Sequence, residues 1–426
     1  MNTKKIIEII KNGDLDEKLI DVYVDGEQLE YQRKRYIDAV TTFEKIYGES
    51  DVQIFSAPGR SEIGGNHTDH QHGKVLACAI NRDAIGVVQK DDTKEIRLVS
   101  GDSDEVIVDL TDLIIKEEEK GTTLSLIKGV LAGFKEAKYK IGGFKAYITS
   151  DVLIGSGVSS SAAFETLIGS ILSGLYNEME VSSVDIAIIG QYAENVYFGK
   201  PCGLMDQMAC STGNLVYIDF KNPKEPMIEK IPFDLESYGY SLCITDTKGS
   251  HADLTDEYAA IPQEMKRVAS FFGKEVLVDV SIDMFLKNLA EVRAKTSDRC
   301  VLRALHFLIE NTRVEKEVEA LKKGDLAEFF SHIKASGNSS YKYLQNVYSV
   351  KDVHKQNVSL ALALSETVLG EDGVCRVHGG GFAGTIQAFV KNELVKEYQE
   401  YMEQIYGQGS CSVFKIRNYG GLMVVS

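Results

Sequence analysis

The run GSGVSSSAA at 155–163 constrains this chain more than any other stretch, because it sets both a backbone turn and the chemistry of what that turn can hold. It lies between a segment expected to be a strand, ending near Ser150, and an apolar segment expected to be a helix, SAAFETLIGSILSGL. Gly155 and Gly157, either side of Ser156, let the backbone turn tightly and approach a ligand without a Cβ in the way. The serines then open a helix whose first N–H groups have no intrahelical partner and whose dipole favours negative charge, which is an anion site. Ser159, Ser160 and Ser161 add hydroxyl donors for phosphate oxygens, and one of them is a candidate Mg2+ ligand. The alternative is a plain serine cap, which needs one serine and not three preceded by Gly-x-Gly. No GxxxxGK[ST] sequence occurs, so the usual P-loop fold is not supported.

With 426 residues the chain has room for two or three domains, and 44% apolar and 26% charged residues suit an ordinary globular protein. A net charge of −16 disfavours nucleic acid or an anionic membrane as a broad partner, while leaving room for a small anion at a locally positive site. Seven cysteines are scattered at 78, 202, 210, 243, 300, 375 and 411 without a CxxC pair, as expected of reduced thiols in a cytoplasmic protein. The start, MNTKKIIEIIKNGDLDEKL, is interrupted by Glu8 and Lys11 and does not read as a signal peptide. No stretch approaches the roughly 18 apolar residues needed to span a bilayer. The expected partners are therefore small molecules, and the expected state is a monomer, with a dimer left open.

Helical spacing in QLEYQRKRYIDAVTTFEKIYG predicts a helix ending at Gly48. Strands are expected at VQIFSA, KVLACAI, AIGVVQ, EIRLVS and EVIVDL, then a helix near 123–138, a strand near 144–149, helices near 160–176 and 184–198, and the strand NLVYIDF. After about residue 238 the pattern restarts with the strand SLCITDT. Helices near 254–272, 301–323 and 353–369 follow, then the strand AGTIQAFV, the helix ELVKEYQEYMEQIYG and a last strand, CSVFKIR. Because strands cluster, an α+β fold in two parts is expected, 1–237 and 238–426, with the last strand free to return to the N-terminal half.

APGRSEIGGNHTDHQHG at 57–73 places Arg60 just after a Pro-Gly turn, where a guanidinium can meet phosphoryl charge bidentately. Asn66, His67, Asp69 and His70 form a dense polar group suited to a polyhydroxylated ligand. A transition-metal site using His67, His70, His72 and Asp69, or a solvated turn, fits the same residues. Glu194 and Asp206, the latter within CGLMDQ, stand in apolar contexts that call for a purpose such as a metal ligand or a group beside an acceptor hydroxyl; the alternative is a surface acid at a helix end. VHGGGFAGTIQAFV at 377–390 matches GxGxxG by chance, since a strand and not a helix is expected after it.

Taken together, these segments resemble the galactokinases of the GHMP kinase family. APGR with HTDH, GSGVSSSAA and GGGFAG resemble the three family motifs in order. QYAENVYFGKPCGLMDQ resembles the segment carrying the catalytic aspartate, and LRALHFLIENTRV resembles the RARHVxxENxR helix. The likeness covers about residues 43–390. It implies a two-domain GHMP fold, ribosomal-S5-like then ferredoxin-like, with the active site between the halves. It also implies ATP and Mg2+ as cofactors and phosphorylation of the anomeric hydroxyl of a free sugar, galactose first. By the resemblance Arg60 and Asp206 are the catalytic pair, Ser161 and Glu194 hold Mg2+, and residues 155–161 cradle the triphosphate. Asn66, His67, Asp69, Gly203 and Tyr258 match sugar-contacting positions. The departures gather on the sugar side: Asn66 replaces a glutamate, His70 a tyrosine and Ala259 an asparagine, while Glu62-Ile63-Gly64 replaces Asn-x-Ile. They leave open another sugar, such as galacturonate, N-acetylgalactosamine or arabinose, or a sensor that binds sugar and ATP without turnover.

Overall fold

The structure is a computed structural model that describes residues 1–152, 157–249 and 254–426. Its strands are β1 (Gln53–Gly64), β2 (Lys74–Asp91), β3 (Glu95–Ser100), β4 (Val106–Asp109), β5 (Gly143–Ser150), β6 (Leu215–Asp219), β7 (Met227–Ile231), β8 (Tyr240–Asp246), β9 (Gly373–His378), β10 (Thr385–Lys391), β11 (Cys411–Phe414) and β12 (Leu422–Val425). The chain forms two compact units. One is Met1–Arg60, Cys78–Asn214 and Ile416–Ser426; the other is Ser61–Ala77 and Leu215–Lys415.

In the first unit the sheet order is β12-β1-β2-β5-β3-β4. β3 and β5 run parallel, while β1 with β12, β2 with β5, and β3 with β4 run antiparallel. Successive side chains of a strand point to opposite faces. Phe55, Ala84 and Val88 thus join one core beneath the helices Thr123–Glu136, Ser160–Tyr176 and Ser183–Tyr192. Ile54, Ile85 and Val87 join the other, against the N-terminal helices Thr3–Asn12, Asp16–Tyr23 and Leu29–Tyr47. A sheet covered on both faces explains why β1 is buried along nearly its whole length.

β2 joins two segments expected as separate strands. It carries a charged stretch, Asn81-Arg82-Asp83, through the middle of the sheet. Asp83 is fully buried there and is paired with Arg35 at 2.6 Å and Arg417 at 3.0 Å, with further hydrogen bonds from Tyr23 and Ser56. Burial alone would raise its pKa. The two guanidinium groups outweigh burial and hold it below the ordinary carboxylate value.

The second unit carries the antiparallel sheet β11-β8-β10-β9 and the β6–β7 hairpin. The helices Asn357–Leu369 and Val395–Tyr406 close one core against the sheet. A second core lies between the helices Thr255–Phe271 and Asp298–Lys323. As the sequence suggests, the glycine cluster is the turn of a hairpin: Thr385 of β10 sits opposite His378 of β9.

The two units interleave along the chain. Residues 215–237, expected with the N-terminal half, pack in the second unit, where Lys322 pairs with Glu229 at 2.6 Å and Phe233 lies 6.4 Å from Phe329. The chain's last strand, β12, lies in the first unit beside β1. Among the described residues no helix is long and apolar enough to cross a membrane, and all seven cysteines are free thiols.

Candidate active site

Arg60 reaches its place because the backbone before it can pass close to the serine loop. A Cβ on Gly59 would stand 2.7 Å from the carbonyl oxygen of Val158, and the Arg60 N–H donates to that same oxygen at 3.1 Å. The guanidinium then makes a bidentate pair with Asp206, Nε to Oδ1 at 2.7 Å and Nη2 to Oδ2 at 2.8 Å. Its Nη1 donates to the Gly157 carbonyl at 2.6 Å. Ser159 adds a hydrogen bond from its hydroxyl to Asp206 Oδ2.

Burial would push the Asp206 carboxyl up, but the charge and hydrogen bonds of Arg60, with Ser159, hold it below the usual carboxylate range. Asp206 lies in the first turn of the helix Met205–Thr212, where the dipole favours the same ionised state. Its side chain keeps 31% exposure, against 11% for Arg60, so part of the carboxylate remains reachable.

Ser159 has left-handed backbone angles, φ 60° and ψ 68°, and precedes the helix Ser160–Tyr176 without capping it through its side chain. Its hydroxyl is committed to Asp206. The plain-cap alternative therefore does not describe Ser159, and the first N–H groups of the helix, which have no intrahelical acceptor, suit an anion. Gly157 also has positive φ, at 77°. Gly155 and Ser156, expected in the same loop, lie outside the described residues.

Glu194 stands at the opening of a single π-helical turn, Ala193–Phe198, that continues the helix Ser183–Tyr192. Such turns recur at functional sites because they re-aim side chains. Glu194 is 2% exposed, and its Oε1 accepts from Ser161 Oγ at 3.0 Å and from Lys200 Nζ at 3.0 Å. A carboxylate and a hydroxyl at this distance are hard oxygen donors suited to a divalent cation. Lys200 reaches Glu194 with 63% of its own side chain exposed. Oε2 of Glu194 accepts from Gln207 Nε2 at 2.8 Å. Gly203 is exposed in the loop before Asp206, which Asn195 pins by a 2.6 Å bond from the Cys202 N–H.

The residues expected on the sugar side belong to the second unit, apart from Gly203, and the structure gives Asn66 a different place from the one expected. Asn66 is fully buried, and its amide is saturated. Nδ2 donates to Glu62 Oε1 at 3.0 Å and Gly379 O at 2.7 Å, and Oδ1 accepts from Ser340 at 3.2 Å and Asn346 at 3.0 Å. No position is left for a sugar hydroxyl. His67, half-buried with φ 56°, is 3.1 Å through Nε2 from the Gly380 carbonyl. Asp69, also half-buried, opens the short turn Asp69–Gln71. Tyr258 donates to Gly381 O at 3.0 Å and lies edge-on to Phe382. His70 stays neutral: burial first, then the charges of His67 and Lys266, push it down to about 3. Its Nε2 has no hydrogen-bond partner among the described residues. Among those residues no group of three or more His, Cys, Asp or Glu is arranged to hold a metal, so the histidine metal reading finds no support.

The sequence marked LRALHFLIENTRV by resemblance but gave its side chains no role in the scaffold around this loop. Along the helix Asp298–Lys323, Arg303, His306 and Glu310 are buried on one face. His306 bridges the Asn66 carbonyl and Ser339 at 2.9 Å each, and Asn311 accepts from the Lys74 N–H at 2.8 Å. Glu62, a departure from the family pattern, is matched by the buried Arg376, which also donates to Ile63 O at 2.6 Å. The available signal was polar residues recurring at helical spacing inside an otherwise apolar face. Gln207, adjacent to Asp206, was also missed.

Comparison with known proteins places this geometry. The galactokinase galactose-binding signature matches residues 41–90, and the N-terminal domain of GHMP kinases matches residues 125–214. Galactokinases of Actinobacillus pleuropneumoniae serotype 3 and Glaesserella parasuis serovar 5 are 33% and 32% identical, each over 86% of this chain and over 93% and 92% of their own lengths. The crystal structure of Lactococcus lactis galactokinase complexed with galactose superposes with TM-score 0.74 at 23% identity, covering 90% of this chain and 98% of that one. Methanococcus jannaschii mevalonate kinase shares the fold at TM-score 0.60 and 16% identity, over 87% of this chain and 99% of its own. The serine loop, the Arg60–Asp206 pair and the glycine hairpin are thus set in a GHMP kinase fold, and likeness over most of both chains makes this protein a member of the galactokinase family.

Proposed function

We propose that the protein transfers the γ-phosphoryl group of ATP to the anomeric hydroxyl of galactose, giving galactose 1-phosphate, in the cytoplasm. The observation that carries this reading is the bidentate Arg60–Asp206 pair, bound at once to Ser159 and to the Gly157 carbonyl of the serine loop. Of the serine loop, residues 157–161 would hold the triphosphate through backbone N–H groups and hydroxyls. Ser161 and Glu194 would hold Mg2+, which when bound offsets the charge on the phosphate oxygens.

Phosphoryl transfer passes through a loose transition state and depends mainly on positioning and charge stabilisation. A carboxylate held below its ordinary pKa is a weak base. Asp206 therefore orients the sugar hydroxyl first and takes its proton late, as the bond to phosphorus forms. Arg60 keeps Asp206 ionised and stabilises charge at the transferring group. His67, Asp69, Tyr258 and Gly203 are the proposed sugar contacts, and Asn66 is a support for them. Of the sugar-side departures that leave another sugar open, Asn66 is buried with its amide saturated and so does not itself select the sugar.

A coupled ADP-release assay with Mg2+-ATP and a panel of galactose, galacturonate, N-acetylgalactosamine and arabinose tests the proposal. Turnover with galactose well above the others is expected. Turnover confined to another sugar, or binding without ADP release, would overturn it.

A further inference from the structure

Behind the proposed metal ligand lies a buried bridge that the reaction as described does not use. Gln207 is fully buried, and its Nε2 donates to Glu194 Oε2 at 2.8 Å and to Glu165 Oε2 at 3.0 Å. Glu165 is 1% exposed on the helix Ser160–Tyr176, which also carries Ser161. The amide orientation is determined by Glu194: the reverse would set Oε1 of Gln207 against a carboxylate oxygen, acceptor against acceptor. Backbone packing makes room for the bridge, since a Cβ on Gly190 would stand 3.1 Å from both Gln207 Cγ and Glu165 Oε2. Among the described residues, Oε1 of Glu165 and Oε1 of Gln207 have no hydrogen-bond partner. Each side chain is therefore held through one end only, and that end faces the bridge.

We propose that Gln207 and Glu165 are positioning residues that fix the orientation of Glu194 and so set the affinity for the divalent cation. With Oε2 held by Gln207, Oε1 of Glu194 is the oxygen turned toward Ser161. Without the amide, a buried carboxylate oxygen loses its donor, and the group rotates to find another. The helix Met205–Thr212 thereby carries both the acceptor-side carboxylate, Asp206, and the clamp on the metal ligand. The inference rests on the reading of Glu194 as a ligand.

The test is a titration of Mn2+ by its free-ion electron paramagnetic resonance signal, with the full chain and a β,γ-methylene analogue of ATP. Glu194→Gln, Gln207→Leu, Gln207→Met, Glu165→Ala and Glu165→Gln are compared, each checked for a cooperative melt. The expected result is a loss of Mn2+ affinity of roughly 10–100-fold in both Gln207 variants and in Glu165→Ala, the usual scale for groups that support a ligand. Glu165→Gln, which keeps an acceptor for Gln207, regains most of what Glu165→Ala loses. If Glu194→Gln binds Mn2+ as the wild type does, the ligand reading fails and this inference with it. If Glu194→Gln loses Mn2+ while a folded Gln207 variant stays within about twofold, the ligand reading stands and the positioning role is overturned. Equal losses in the two Glu165 variants would overturn it as well.

Discussion

In the first unit, Arg60 and Asp206 form an ion pair that leaves 31% of the aspartate side chain exposed. In the second, Arg376 and Glu62 form one at 0% and 6%. Each pair joins an arginine to a carboxylate, and the surroundings assign them opposite work. Asp206 is held on one side by Arg60 and Ser159 and keeps another side for a ligand, whereas Glu62 spends its carboxylate on Arg376 and Asn66. A reachable pair can do chemistry. A sealed pair fixes a loop and is costly to break, because the surviving partner is left as a buried, uncompensated charge. The first motif itself divides on this line, since Arg60 ends a segment of the first unit and Ser61 begins one of the second.

The contrast can be broken most forcefully at Asp206. Asp206→Asn should lower kcat by about 10²–10⁴-fold, the scale for a lost acid–base group, with the melting temperature little changed. Arg376→Met should do the reverse: a stability loss of about 3–5 kcal/mol in a denaturant melt, with kcat of the folded fraction largely retained. Asn66→Asp sharpens the contrast. It turns donors toward Glu62 Oε1 and Gly379 O into acceptors and should cost about 1–3 kcal/mol in the same melt. It should also raise KM for galactose, leaving KM for ATP unchanged. A fall in kcat alone would place Asn66 at the reacting centre instead. Ser159→Ala, which removes one hydrogen bond to a charged group, should lower kcat/KM by roughly tenfold.

The smallest effect is in pH. Asp206 is held below its ordinary value, so the stability its pair supplies is complete above the unfolded carboxyl's pKa of about 3.9 and is lost only as pH falls through the lower folded value. Glu165 has the opposite sign. Burial first, then the charge of Glu194, raise it well above normal, so the folded chain holds a proton the unfolded chain has released, and stability falls as pH rises past about 4.3. Melts from pH 4 to 8 should show that slope reduced in Glu165→Gln.

Much of this was legible because local rules sufficed. The helix Leu29–Tyr47 stops at Gly48, with φ 88°, alternating apolar residues marked β3 and β5, and a short apolar run marked β8. The serine loop could be read because glycine and serine there do backbone work that other residues do poorly. What escaped depends on partners distant in sequence. The charged stretch in β2 looked like a break until Arg35 and Arg417 closed around Asp83. Asn66 looked like a ligand contact because its type is polar, and only the fold shows Asn346, Ser340 and Gly379 using up its amide. The bridge of Gln207 joins helices that the sequence sets 13 and 42 residues away.

Rapid-quench measurement of a single enzyme-bound turnover, with saturating galactose and Mg2+-ATP on wild type and Asp206→Asn, separates chemistry from binding at the group on which the account turns. The expected result is full occupancy by both substrates in the variant, with phosphoryl transfer slowed by about 10²-fold or more. Transfer within a few-fold of wild type at full occupancy would contradict it.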